Sequence, residues 1–111
     1  MITGFMDKRR IEILTRHAEV SEKVIERYLV TRAEQYGMLC LKYSNPNMTG
    51  YPDRLLVLPD AEVIWVELKS RGRKPTKLQC LRHEELCRRG HRVEVIDNKA
   101  SVDDLIKSLL K

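Results

Sequence analysis

Apolar and polar positions change period several times along the chain, and each change marks an element. Residues 1–20 mix charges with scattered apolar positions, and Ile11, Ile13 and Leu14 suggest a short helix in an N-terminal arm. From Ser21 the spacing is helical. Ser21 can cap a helix, Glu22 sits in its first turn, and Val24, Ile25, Tyr28, Leu29 and Arg32 recur at three- and four-residue steps. Gly37 is the expected stop. Met38 to Tyr43 reads as a short strand, and residues 44–52, dense in Ser, Asn, Pro and Gly, as a loop. Asp53 to Leu58 and Val63 to Lys69 form two apolar runs around Pro59-Asp60-Ala61-Glu62, which predicts a hairpin. Thr76-Lys77-Leu78-Gln79 fits a capping box, so a helix should run from there to Arg89, with Gly90 past its end. Leu78, Leu81 and Leu86 on this helix are expected in the core, as is Trp65, and Cys80 and Cys87 are expected half-buried. Arg92 to Ile96 is a strand. Ser101 should open a last helix that places Val102, Leu105, Ile106 and Leu109 on one face.

The order helix, three strands, helix, strand, helix predicts an α/β fold with a small mixed sheet flanked by helices. The strand–helix–strand step over residues 63–96 should be a right-handed crossover between parallel strands. A chain of 111 residues suits one domain, placed at 21–111 behind the arm at 1–20.

Composition adds a direction. Lys and Arg number 21 against 16 for Asp and Glu, a net charge of +5 that fits a polyanionic partner. The distribution matters more than the total. Residues 69–77 hold five basic side chains and no acidic one, and Lys8-Arg9-Arg10 forms a second cluster. Cys40, Cys80 and Cys87 make no CxxC pair, which fits a reducing compartment. With His17, His83 and His91 they show no zinc-ligand spacing. No apolar run approaches the roughly 20 residues of a membrane span, so a cytoplasmic protein is expected.

The chemistry is concentrated in Pro52-Asp53, thirteen further residues, and Glu67-Leu68-Lys69. Side chains alternate along a strand, so Glu67 and Lys69 share a face while Leu68 points to the other. If Asp53 starts the neighbouring strand of the hairpin, two carboxylates and an ammonium converge at one edge of the sheet. That set suits phosphodiester hydrolysis. Carboxylates hold Mg²⁺, the metal acidifies a bound water, and a lysine beside it positions or deprotonates that water. The plainer reading is that Glu67 and Lys69 are an exposed pair and Asp53 a turn residue. The Gly/Pro loop before Asp53 and the basic loop after Lys69 favour the first reading.

The segment from about Ser21 to Asp97 resembles the VRR-NUC (virus-type replication-repair nuclease) family of the PD-(D/E)xK superfamily. The resemblance is carried by the helix Ser21 to Leu29, the strand ending Leu41-Lys42-Tyr43, and Gly50-Tyr51-Pro52-Asp53-Arg54. It continues in Trp65-Val66-Glu67-Leu68-Lys69 and in Leu78-Gln79 opening the next helix. It implies a restriction-endonuclease-like core, dependence on Mg²⁺ or Mn²⁺, and cleavage of branched DNA in the manner of a Holliday-junction resolvase. Tyr51 departs from the small or β-branched residue expected in the 50–53 motif. Carried over by position, Asp53 and Glu67 become metal ligands and Lys69 the catalytic lysine. A first-helix glutamate completes the site, with Glu22 favoured over Glu26 because it lies closer to the apolar helix face. Gln79 can partner Thr76 in the capping box, but the resemblance makes it a catalytic-site residue. Lys42 could be an exposed strand lysine, but it is expected to approach the scissile phosphate. Arg71, Arg73, Lys74 and Lys77 are expected to contact DNA. A homodimer is expected because a four-way junction takes two symmetric cuts, with Ile11, Ile13 and Leu14 and the last helix offering apolar surface. Two rivals are a catalytically silent DNA-binding module on the same fold and a protein whose basic loop meets an acidic partner.

Overall fold

Helix α1 occupies residues 22–35 and ends at Gly37, whose φ of 76° lets the chain reverse while the Met38 amide returns to the Ala33 carbonyl at 3.0 Å. The computed structural model describes residues 22–110. The arm at 1–20, with Ile11, Ile13, Leu14 and the Lys8-Arg9-Arg10 cluster, lies outside the described residues, as does Ser21. Strands β1 (Leu39–Lys42), β2 (Arg54–Val57) and β3 (Val63–Leu68) follow, then α2 (Lys77–Arg88), β4 (Arg92–Ile96) and α3 (Lys99–Leu109). The sheet order is β1-β2-β3-β4. β1 and β2 pair antiparallel, as do β2 and β3, whereas β3 and β4 pair parallel across α2. The expected order of elements and the mixed sheet are both found.

One face of the sheet carries the core. Leu56, Ile64, Val66, Leu68 and Ile96 pack there against Ile25, Leu29 and Ala33 of α1 and Val102, Leu105, Ile106 and Leu109 of α3. The two helices are tied by Tyr28, whose hydroxyl donates to Asp103 at 2.8 Å, and by Arg32, whose Nε donates to the same carboxylate at 3.2 Å. The apolar stripe of α3 is therefore covered by the chain's own sheet and is not the exposed apolar surface expected to meet a second chain. Its first turn also differs from expectation. Asn98, not Ser101, caps the helix, and its side chain accepts from the Ser101 amide at 2.7 Å. Val24 turns out exposed, because the buried stripe of α1 runs through positions 25, 29 and 33.

The opposite face is covered by α2, which contributes no buried residue. Leu78 and Leu81 are 41% and 54% exposed, Cys80 and Cys87 are exposed as well, and only Leu86 of the expected apolar seat is half-buried. What α2 covers is polar. Trp65 faces this side, half-buried beside Tyr43, Tyr51 and His91 rather than in the main core. Tyr51 donates its hydroxyl to Glu85 at 2.7 Å and lies under the Arg82 guanidinium. It fastens the loop before Asp53 to α2.

Candidate active site

The geometry begins with the hairpin. Arg54 stands opposite Val66, so Asp53, one step before β2, falls opposite Glu67. The backbone on both sides is fixed. The Tyr43 amide donates to the Asp53 carbonyl at 2.8 Å, and the Lys69 amide donates to the Ile96 carbonyl at 2.9 Å. The Asp53 carboxylate reaches across the hairpin and accepts from the Leu68 amide at 3.3 Å. Glu67 lies between the buried residues Val66 and Leu68 but points away from their core. It is the one polar side chain buried among the described residues, at 4% exposure.

Burial makes its charge costly. Removal from water pushes the Glu67 carboxyl up to about 7, and the charges of Asp53 and Glu22 push the same way while Lys69 opposes them. Four groups expected to form the site, Asp53, Glu67, Lys69 and Glu22, thus act on one another electrostatically. Lys69 and Glu22 also line a cavity of about 290 Å³ together with Ser70, Arg73, Lys74 and Thr76.

The two candidate glutamates of α1 separate cleanly. Glu22 opens on that cavity. Glu26 turns to the strands, where its Oε2 accepts from Arg54 Nε at 2.9 Å and from Lys42 Nζ at 3.1 Å. Burial alone would raise its carboxyl, but Arg54 and Lys42 hold it below the ordinary value. Lys42 is exposed on β1, paired to Glu26, and does not line the cavity. Of the basic loop, Arg73 and Lys74 line the cavity, while Arg71 and Lys77 are exposed outside its wall. The loop is anchored to the end of β4, since the Gly72 amide donates to Asp97 at 3.1 Å.

Gln79 contacts both Thr76 and Glu67, with different atoms. Its Oε1 accepts from the Thr76 amide at 2.9 Å, completing the capping box, and its Nε2 lies 3.4 Å from Glu67 Oε2. One turn further along α2, His83 Nε2 lies 3.4 Å from Glu67 Oε1. Sequence reasoning missed His83 as a site residue. The available signal was its position four residues after Gln79, on the same helix face.

Among the described residues no three His, Cys, Asp or Glu side chains are gathered to hold a metal ion. Mg²⁺ asks for less, since it keeps several waters and takes one or two carboxylates together with substrate phosphate. Asp53 and Glu67 supply hard oxygen donors, and the raised Glu67 carboxyl marks a place where a cation would relieve two crowded negative charges. The donor set fits.

A search of family models finds no match. A curated relative from Acyrthosiphon pisum secondary endosymbiont phage 1, named "Putative nuclease p44", is 39% identical over 80 residues, covering 72% of this chain and 86% of its own. A solved structure described as a VRR_NUC domain aligns with a TM-score of 0.76 at 33% identity, covering 81% of this chain and 98% of that one. The chain belongs to the VRR-NUC family. The match covers nearly the whole of that VRR-NUC domain, and this chain has α1 to β4 in the order the sequence predicts. No helix of this VRR-NUC chain, among the described residues, is long and apolar enough to cross a membrane.

Proposed function

We propose that this chain is a metal-dependent endonuclease that hydrolyses phosphodiester bonds in branched DNA, working in the cytoplasm. The observation that carries the reading is a buried Glu67 beside Asp53 and Lys69, next to a cavity walled by Arg73 and Lys74. Asp53 and Glu67 would hold Mg²⁺, with Mn²⁺ able to substitute, and Glu22 would complete the set from α1. When bound, the metal lowers the pKa of water and offsets charge on the phosphate. Lys69, on the strand face of Glu67, holds the attacking water with its ammonium and offsets the charge that builds on the phosphate, while the water's proton passes to solvent as its oxygen bonds to phosphorus. The bond to the leaving sugar oxygen then breaks. Arg73 and Lys74 receive flanking phosphates, and Gln79 steadies the Glu67 carboxylate. A four-way junction needs two symmetric cuts, so two chains act on it. Light scattering with and without junction DNA measures whether two chains assemble.

The test is cleavage of a panel of four-way junction, flap, nicked duplex and single strand with Mg²⁺ or Mn²⁺. Asp53→Ala, Glu67→Ala and Lys69→Ala should each lower the rate by on the order of a hundredfold or more while DNA binding persists. Lys69→Ala cutting at the wild-type rate would refute the site. Tight binding with no cleavage of any substrate would identify a silent DNA-binding module instead.

A further inference from the structure

Helix α2 covers the Glu67 face of the sheet without burying one apolar side chain there. Its contacts with Glu67 are polar and paired. Gln79 Nε2 and His83 Nε2 each lie 3.4 Å from a different oxygen of the Glu67 carboxylate. Positions 79 and 83 stand one turn apart on the same helix face, so one element delivers two nitrogen groups to the two ends of one carboxylate. Gln79 is oriented from its other end, where Oε1 takes the Thr76 amide. Its Nε2 is therefore the atom left to face Glu67. The His83 side chain is 13% exposed, held between α2 and the sheet.

We infer that His83 is a positioning residue for Glu67, donating from Nε2–H to Oε1 so that, with Gln79 on Oε2, the carboxylate is fixed in one orientation. The inference rests on the nuclease reading above, in which Glu67 is a metal ligand. The terminal torsion of a glutamate has a broad, two-fold preference, so burial alone does not fix the plane of its oxygens. A carboxylate oxygen has more than one acceptor site, so a donor on each leaves both oxygens able to bind a cation. Hydrogen-bond partners behind a metal's ligands are commonly worth ten- to hundredfold in metal affinity. If His83 only fills space under α2, an apolar ring of similar size should serve as well. If it acts as a donor, an amide should serve better than a ring.

The full-length chain, free of DNA, is titrated with Mn²⁺ in a calorimeter as wild type, His83→Phe and His83→Gln. His83→Phe should weaken Mn²⁺ binding about ten- to hundredfold, and His83→Gln should recover it to within about threefold of wild type. Long-range ¹⁵N–¹H correlation spectra of the wild-type chain, without metal and at about pH 9 where Glu67 is ionised, should show His83 as the Nε2–H tautomer. Glu67→Ala should mix the tautomers. Undiminished Mn²⁺ binding by His83→Phe overturns the role, as does His83→Gln binding no better than His83→Phe. A wild-type Nδ1–H tautomer overturns it too, even if His83→Phe does not fold. A wild-type chain that takes up no Mn²⁺ fails differently, since the metal site itself then falls and the inference with it.

Discussion

A carboxylate 4% exposed on a sheet face is costly as an ion, and the Glu67 carboxyl held near 7 records that cost. The sign of the effect on stability follows. The folded chain binds this proton more tightly than the unfolded chain, whose glutamate titrates near its ordinary value of 4.5. The group's contribution is therefore complete below about pH 4.5 and is lost as pH rises through 7. Gln keeps the shape and escapes the titration. Glu67→Gln should accordingly melt several degrees above wild type at pH 8 with metal chelated, and the gap should close near pH 4.5. Equal melting temperatures at both values would mean that the site already compensates the charge. Asp53, Glu67 and Lys69 were legible because residue type and a period of two fix which side chains meet on a hairpin. Glu26 was legible only as an acid, since its partner Arg54 lies 28 residues away and no local pattern joins them. His83 was hidden for the same reason, because its meaning depends on where α2 sits.

Among elements, the strands and their pairing followed from apolar runs and turn residues, whereas α2 did not follow from its leucines. Leu78 and Leu81 suggest a core stripe, yet this helix covers a polar site and is fastened by Arg82, which donates to the Thr49 carbonyl at 2.9 Å, and by Glu85, which accepts from Tyr51. The cap of α3 was misplaced because Asn98 and Ser101 are both capping residues and the sequence does not rank them. Gly50 shows how tightly the loop and α2 are joined. It has a φ of 97°, and a Cβ there would meet Leu78 Cγ at 2.8 Å and Arg82 Cγ at 3.1 Å. Gly50→Ala should cost about 1 kcal/mol or more from the backbone conformation, with the clash in addition. It should also slow cleavage, because Asp53 follows three residues later. Adding Leu78→Ala should restore part of the stability in chemical denaturation, since the contact with Leu78 is relieved while that with Arg82 and the backbone strain remain. A fully tolerated Gly50→Ala would show that the loop is not held against α2 as closely as the distances indicate.

At the scale of the whole molecule, the net charge of +5 says little until the fold places it. Arg73 and Lys74 are brought to the cavity that Lys69 and Glu22 line, so positive charge stands beside the proposed catalytic centre. Arg88 and Arg89 are exposed at the far end of α2, about 18 Å away along a twelve-residue helix. The two clusters look alike in composition and differ in position, which allows them to be separated by experiment. Each phosphate contact releases condensed counterions, so the slope of log K against log salt counts contacts. Arg73→Gln with Lys74→Gln should lower that slope by about 2 and weaken binding equally on unrelated DNA sequences. Arg88→Gln with Arg89→Gln removes the same charge and should change the slope much less. Fluorescence anisotropy across a range of salt concentrations reads both variants. Equal losses from the two pairs would mean that DNA responds to overall charge and that the cavity does not set where the backbone lies.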